Sequence, residues 1–142
     1  MKLQVAWIGK TKEKAIQSLT LEYLKRLTRY APTESFEFSN EPALLKHVER
    51  GAWFVALDSG GKQMSSEELA QFLADHQNRG TQSLLFAIGP ANGWSDETLQ
   101  HSSSRLSLGR MTLPHELARV VLLEQLYRAF TILKGHPYHL GH

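Results

Sequence analysis

The residues best suited to chemistry gather in the last third of the chain. His115 and Arg119 stand four apart just after Pro114, so on a helix they share one face. An imidazole and a permanent cation at a helix start suit an anion or phosphate, because the unpaired backbone N–H groups and the helix dipole favour negative charge there. Ordinary surface residues at that spacing would look the same. His136-Pro137-Tyr138-His139, with His142 beyond, offers imidazoles of the kind that bind zinc. The segment lies at a chain end, contains proline and has no nearby carboxylate or cysteine to complete a shell, so no metal is expected. Glu124 and Arg128, also four apart, read as a plain ion pair along a helix.

Two glycine-bearing stretches precede these. Gly89-Pro90-Ala91-Asn92-Gly93-Trp94-Ser95 follows an apolar run, and ligands of open α/β sheets sit in such loops at the carboxyl ends of strands. Its glycines allow close backbone approach and Pro90 stiffens it. The alternative is a plain strand-to-helix connection with Ser95 as the cap. Gly60-Gly61-Lys62 lacks the Walker spacing and has no Ser or Thr after the lysine, so it reads as a turn. No G-x-G-x-x-G follows the first strand, which argues against a dinucleotide-binding domain.

Elements to position these residues are legible in the apolar pattern. Leu3 to Ile8, Trp53 to Leu57 and Ser83 to Ile88 read as buried strands, with Ser35 to Phe38 a short edge strand and Arg105 to Leu108 a last one. Between them, helical spacing of Ile16, Leu19, Tyr23, Leu27 and Tyr30 predicts a helix ended by Pro32. Asn40 starts another, carrying Leu44, Leu45 and Val48. Ser65 and Glu68 form a capping-box pattern before Leu69, Phe72 and Leu73, and Gly80 closes that helix. A short helix opens at Ser95, and a long one runs from Pro114 to about Lys134. Near-continuous apolar strands alternating with helices predict an α/β domain, a mostly parallel sheet with helices on both faces, spanning residues 1–142 as one unit. In the last helix Leu117, Val120 and Val121 make one apolar face, and Leu122, Leu126, Phe130 and Leu133 another. Such a helix is buried twice, either against a homodimer partner or wholly inside the chain.

Composition narrows the setting. The chain has 142 residues, 42% apolar and 21% charged, as expected of a folded globular domain. No apolar run approaches the roughly 18 residues of a membrane span, and the N-terminus turns polar at Gly9-Lys10 before a signal-peptide core can form. There is no cysteine, hence no thiolate nucleophile and no disulfide; a cytoplasmic location is expected. A net charge of +2 hints at anionic partners without marking a polybasic nucleic-acid binder.

Read as one string, Leu106-Ser107-Leu108-Gly109-Arg110-Met111-Thr112-Leu113-Pro114-His115, continued by Arg119, then Glu124-Gln125-Leu126-Tyr127-Arg128-Ala129 and His136-Pro137-Tyr138-His139, closely resembles the RlmH family. These are large-subunit (23S) ribosomal RNA pseudouridine N3-methyltransferases of the SPOUT superfamily. Met1-Lys2-Leu3-Gln4 and Glu22-Tyr23-Leu24-Lys25-Arg26 carry the resemblance to the rest of the chain. It implies a SPOUT fold with a C-terminal trefoil knot, a homodimer, a ribosomal RNA substrate, and S-adenosylmethionine as methyl donor, with no metal. It assigns donor binding to Leu57, Gly89, Leu108, Gly109, Arg110, Met111, Thr112 and Leu113. His115 and Arg119 would anchor phosphate or base, Tyr138 would stack on or orient the base, and His139 would lie beside it. The proton acceptor stays open among His115, Arg119, Tyr138 and His139.

Three positions depart from the family pattern. Pro90 replaces the second glycine of the loop, Leu140 follows the final His139 where a cation is usual, and the segment from Phe38 to Trp53 lacks a basic insertion. These leave two further readings: a SPOUT methyltransferase with a different RNA target, or a non-catalytic ribosome-binding homologue.

Overall fold

A computed structural model of the chain describes residues 1–141. Five strands and five helices alternate: β1 (Lys2–Ile8), α1 (Lys14–Leu27), β2 (Thr33–Phe38), α2 (Glu41–Val48), β3 (Trp53–Gln63), α3 (Ser66–Arg79), β4 (Ser83–Ile88), α4 (Asp96–His101), β5 (Ser104–Ser107) and α5 (His115–Leu133), then a 3-10 turn at Pro137–Gly141. The sheet order is β2-β1-β4-β3-β5, and every pairing is parallel.

Alternation along the strands sorts the core into two layers. Leu3, Val5 and Trp7 of β1, Val55 and Leu57 of β3, and Leu84, Phe86 and Ile88 of β4 face one side, where Leu27, Leu69, Leu73, Leu126 and Phe130 cover them. Ala6, Ile8, Phe54, Ala56, Leu85 and Ala87 face the other side, under Leu44, with Trp94 and Leu99 packed alongside. The thinner second layer uses alanines because only the short helices α2 and α4 cover it.

The helix ends follow their chemistry. Ser65 Oγ accepts from the Glu68 N–H at 3.0 Å while Glu68 Oε1 accepts from the Ser65 N–H at 2.9 Å, the capping box expected for α3. Asn40 caps α2 by accepting from the Ala43 N–H. The start of α1 has no local side-chain cap. Glu116, on the first turn of α5, accepts from the backbone N–H groups of Lys12 and Glu13 at 2.9 and 3.1 Å instead. That long-range cap fastens the β1–α1 loop to α5.

Of the two settings open to the last helix the fold takes mostly the interior one, and one strand runs further than expected. Helix α5 lies between α1 and α3, and Val120, Leu122, Leu123, Leu126, Tyr127 and Phe130 are all buried within the one chain. Its two apolar sides are therefore met mostly internally, leaving Leu117, 41% exposed, and half-buried Val121 on the outside. Strand β3 does not end at Leu57 but runs to Gln63. Leu106 of β5 pairs with both Leu57 and Lys62, so residues 58–61 bend around it. Gly61 enables the bend: a β-carbon there would lie 2.8 Å from Arg105 C and from Leu106 N.

Candidate active site

The loops at the carboxyl ends of β3, β4 and β5 close on one cavity of about 640 Å³, within the range of small-molecule sites. Leu57, Gly89, Leu108, Gly109, Arg110, Met111, Thr112 and Leu113 all line it, joined by Asp58, Trp94, His115 and Ala118. The Gly89 loop is thus part of a cavity wall rather than only a connection. Met111 is 86% exposed at its rim.

Each loop is held by contacts the sequence did not announce. The Trp94 indole lies against Gly89, where a β-carbon would sit 2.8 Å from Trp94 Cδ2, and its Nε1–H donates to the Leu57 carbonyl at 2.9 Å. One side chain thereby ties the β4 loop to the end of β3. Gly93, at φ 86°, turns the loop by donating to the Pro90 carbonyl, so proline in place of a second glycine is accommodated. Glu41, at the start of α2, accepts from the N–H and hydroxyl of Ser95 and from the Thr98 hydroxyl. Burial acts to raise the Glu41 carboxyl, but these bonds outweigh it and hold it below its ordinary range. In the third loop, buried Ser107 accepts from the Gly109 N–H and donates to the Gly109 carbonyl, with Gly109 at φ 134°.

His115 stands at the cavity wall, at the first turn of α5. Arg119 does not. It is fully buried, donating to Thr11 Oγ1 at 2.7 Å and to the Ile8 and Gly9 carbonyls at 3.2 and 3.3 Å, with its guanidinium over the Trp7 ring. Glu37 completes this cluster by accepting from Trp7 Nε1 and from the N–H and hydroxyl of Thr11. Arg119, expected to anchor phosphate or base, is thus a buried cation bound to the end of β1 and not a side chain of the cavity wall.

Tyr138 and His139 form a second cluster. The Tyr138 hydroxyl donates to Glu124 Oε1 at 3.2 Å, and its ring packs edge-on against Tyr127 and beneath the Arg128 guanidinium. Arg128 grips the same Glu124 oxygen through Nε and Nη2 and reaches His139 Nδ1 through Nη1 at 2.9 Å. His139 Nε2 lies 2.6 Å from Glu67 Oε1. Among the described residues neither Tyr138 nor His139 lines the cavity. With a helical rise of about 1.5 Å per residue, their anchors Glu124 and Arg128 sit roughly 9 to 15 Å along α5 from cavity-lining Ala118. His142 lies outside the described residues. Leu140 is 89% exposed.

A wholly parallel α/β sheet with a loop-lined cavity beyond its carboxyl edge is a small-ligand-binding α/β fold, the arrangement of many cofactor-dependent enzymes. Residues 1–139 match the family model described as predicted SPOUT methyltransferase. The ribosomal RNA large subunit methyltransferase H of Koribacter versatilis is 62% identical over 146 residues, covering 100% of both chains. Proteins of the same name from Geotalea daltonii and Clostridioides difficile are 43% and 38% identical, each covering 98% of this chain and 99% of the relative. Among solved structures, a probable methylase family protein from Haemophilus influenzae superposes with a TM-score of 0.61 at 11% identity, covering 96% of this chain and 69% of that one, a likeness of fold. The chain belongs to the ribosomal RNA large subunit methyltransferase H family of SPOUT methyltransferases.

Proposed function

We propose that this single-domain protein transfers the methyl group of S-adenosylmethionine to N3 of a pseudouridine in large-subunit ribosomal RNA, acting in the cytoplasm as a homodimer. The observation that carries this reading is the cavity: three loops, contributed by residues far apart in sequence, converge on one space of suitable size. The donor fits what is there. Gly109, with open space where a side chain would stand, leaves backbone accessible to a ligand, apolar Leu57, Leu108 and Leu113 suit an adenosine, and Asp58 adds a carboxylate to the wall. When bound, the donor supplies a methyl on a sulfonium, already activated for transfer; the protein's share is alignment and help for N3 to lose its proton.

The trefoil knot belongs to the same proposal. It is supported by the way β3 bends around Leu106, with Gly61 pressed on the backbone of residues 105 and 106. The homodimer is supported by distance. Tyr138 and His139 lie too far along α5 to reach their own cavity, so a second copy that brings its tail to the first completes the site. Leu117 and Val121, left at the surface of α5, and exposed Met111 at the rim are the apolar positions available to that association.

Mass spectrometry of ribosomal RNA from a deletion strain tests the reaction. Loss of N3-methylpseudouridine, restored by the gene, is the expected result; an unchanged signal would overturn it. A methyl lost from another nucleotide would favour the variant-target reading. Calorimetry with S-adenosylmethionine tests the donor, and absence of binding at millimolar ligand would favour a non-catalytic ribosome-binding role.

A further inference from the structure

The proton inventory of the tail cluster limits what it can do. An arginine guanidinium has donors only, so in its contact with Arg128 Nη1 the His139 Nδ1 must be the acceptor. The imidazole proton then sits on Nε2, where it donates to Glu67 Oε1. His139 therefore has its lone pair occupied and its N–H turned outward, towards a Glu67 side chain that is 63% exposed. Tyr138 is held in the same sense. Its hydroxyl donates to Glu124, and burial first, then hydrogen bonding with Tyr23 and the Glu124 charge, push its ionisation well above the ordinary phenol value.

We propose that His139 serves the methyl transfer as a hydrogen-bond donor to the target base, with Arg128 as the positioning residue that fixes it in the donor state and Glu124 holding Arg128 and the Tyr138 hydroxyl in place, and that neither Tyr138 nor His139 takes the N3 proton. The proposal rests on the function given above and adds the role of each group. Loss of the proton from N3 leaves an anion whose charge spreads to the two carbonyl oxygens flanking that nitrogen. Donors aimed at those oxygens stabilise the anion as it forms. Glu67, exposed and hydrogen-bonded to Nε2–H, holds the donor until a base oxygen replaces it. The balance is complete without a protein base: the N3–H bond breaks, its proton passes to water, the N3 electron pair takes the methyl, and the sulfonium leaves as a neutral thioether. Glu124 and Arg128, an ordinary ion pair by spacing, are thus the seat of the tail.

Two measurements on the full chain test this. Nitrogen-15 NMR of the labelled imidazoles at neutral pH should show His139 as the Nε2–H tautomer, with Arg128→Gln converting it to a mixture while S-adenosylmethionine affinity is unchanged. In methyl transfer to ribosomal RNA, His139→Ala should lower kcat by about 10²-fold, as for loss of one anion-stabilising donor. His139→Gln, whose amide still donates but cannot act as a base, should stay within about tenfold of wild type, with a KM close to it. An Nδ1–H or cationic ring in the free protein, or His139→Gln as slow as His139→Ala, would overturn the proposal. A wild-type protein that shows the Nε2–H signature yet transfers no methyl would overturn the proposed function and the donor role with it, leaving the tautomer assignment intact.

Discussion

Gly89 and Trp94 are packed so closely that neither can change alone. Gly89→Ala forces a β-carbon into the indole, and the hydrogen bond from Trp94 to the Leu57 carbonyl breaks as the ring moves away. S-adenosylmethionine affinity in a calorimetric titration is expected to fall at least tenfold, while the melting temperature moves little because the site lies at the end of the sheet. Arg119 behaves in the opposite way. Arg119→Met removes the charged donor from all three of its acceptors, the Ile8 and Gly9 carbonyls and the Thr11 hydroxyl. The loss should be on the order of 2–3 kcal/mol in denaturant unfolding, the range for hydrogen bonds to a charged group. Sequence spacing put His115 and Arg119 on one helix face and could go no further. Helical periodicity says that side chains share a face but not whether it meets solvent or a neighbouring strand end. Trp94 and Glu41 escaped notice for a related reason: their partners, Leu57 and Ser95, are 37 and 54 residues away.

At the level of elements, the strands and helices were readable because buried parallel strands are continuous apolar runs and the caps of α2 and α3 are local. The extension of β3 to Gln63 was not, since Asp58 to Lys62 has turn composition and its pairing depends on β5, over forty residues on. Gly61→Ala tests that pairing. With backbone atoms of residues 105 and 106 at 2.8 Å, the extra methyl cannot be relieved by a rotamer change. A cost of about 1–3 kcal/mol is expected in chemical denaturation, as for overpacking elsewhere. The joint between α2 and α4 carries a pH signature. Glu41 is held below its ordinary value of 4.5 in the fold. Its contribution is therefore complete above the unfolded value and lost as pH falls through the lower folded one. Glu41→Gln should flatten the acid limb of melting temperature against pH, with the difference from wild type shrinking below about pH 4.

For the whole molecule, the long last helix is the instructive element. Its sequence is apolar on two sides, which suited either a partner or an interior position, and the fold uses the interior for most of it by setting α5 between α1 and α3. Pattern alone could not decide because both environments remove the same surface from water. What remains for self-association is smaller, which makes the proposed dimer testable by a light change: Leu117→Arg at an exposed position should shift light scattering towards the monomer. Methyl transfer should fall with it while donor affinity is kept, since the cavity is built within one chain. A dimer unaffected by the substitution would place the interface elsewhere on the surface.

The bend of β3 around Leu106 also limits how two copies can associate. Strand β5 is only four residues long and forms one edge of the sheet, yet it is gripped by its neighbour on both sides of Leu106. Two chains could trade their C-terminal thirds only after β3 had opened. Domain swapping, the exchange of an identical element between copies, is thereby obstructed. Copies of this protein are expected to meet surface to surface, with each chain keeping its own last helix.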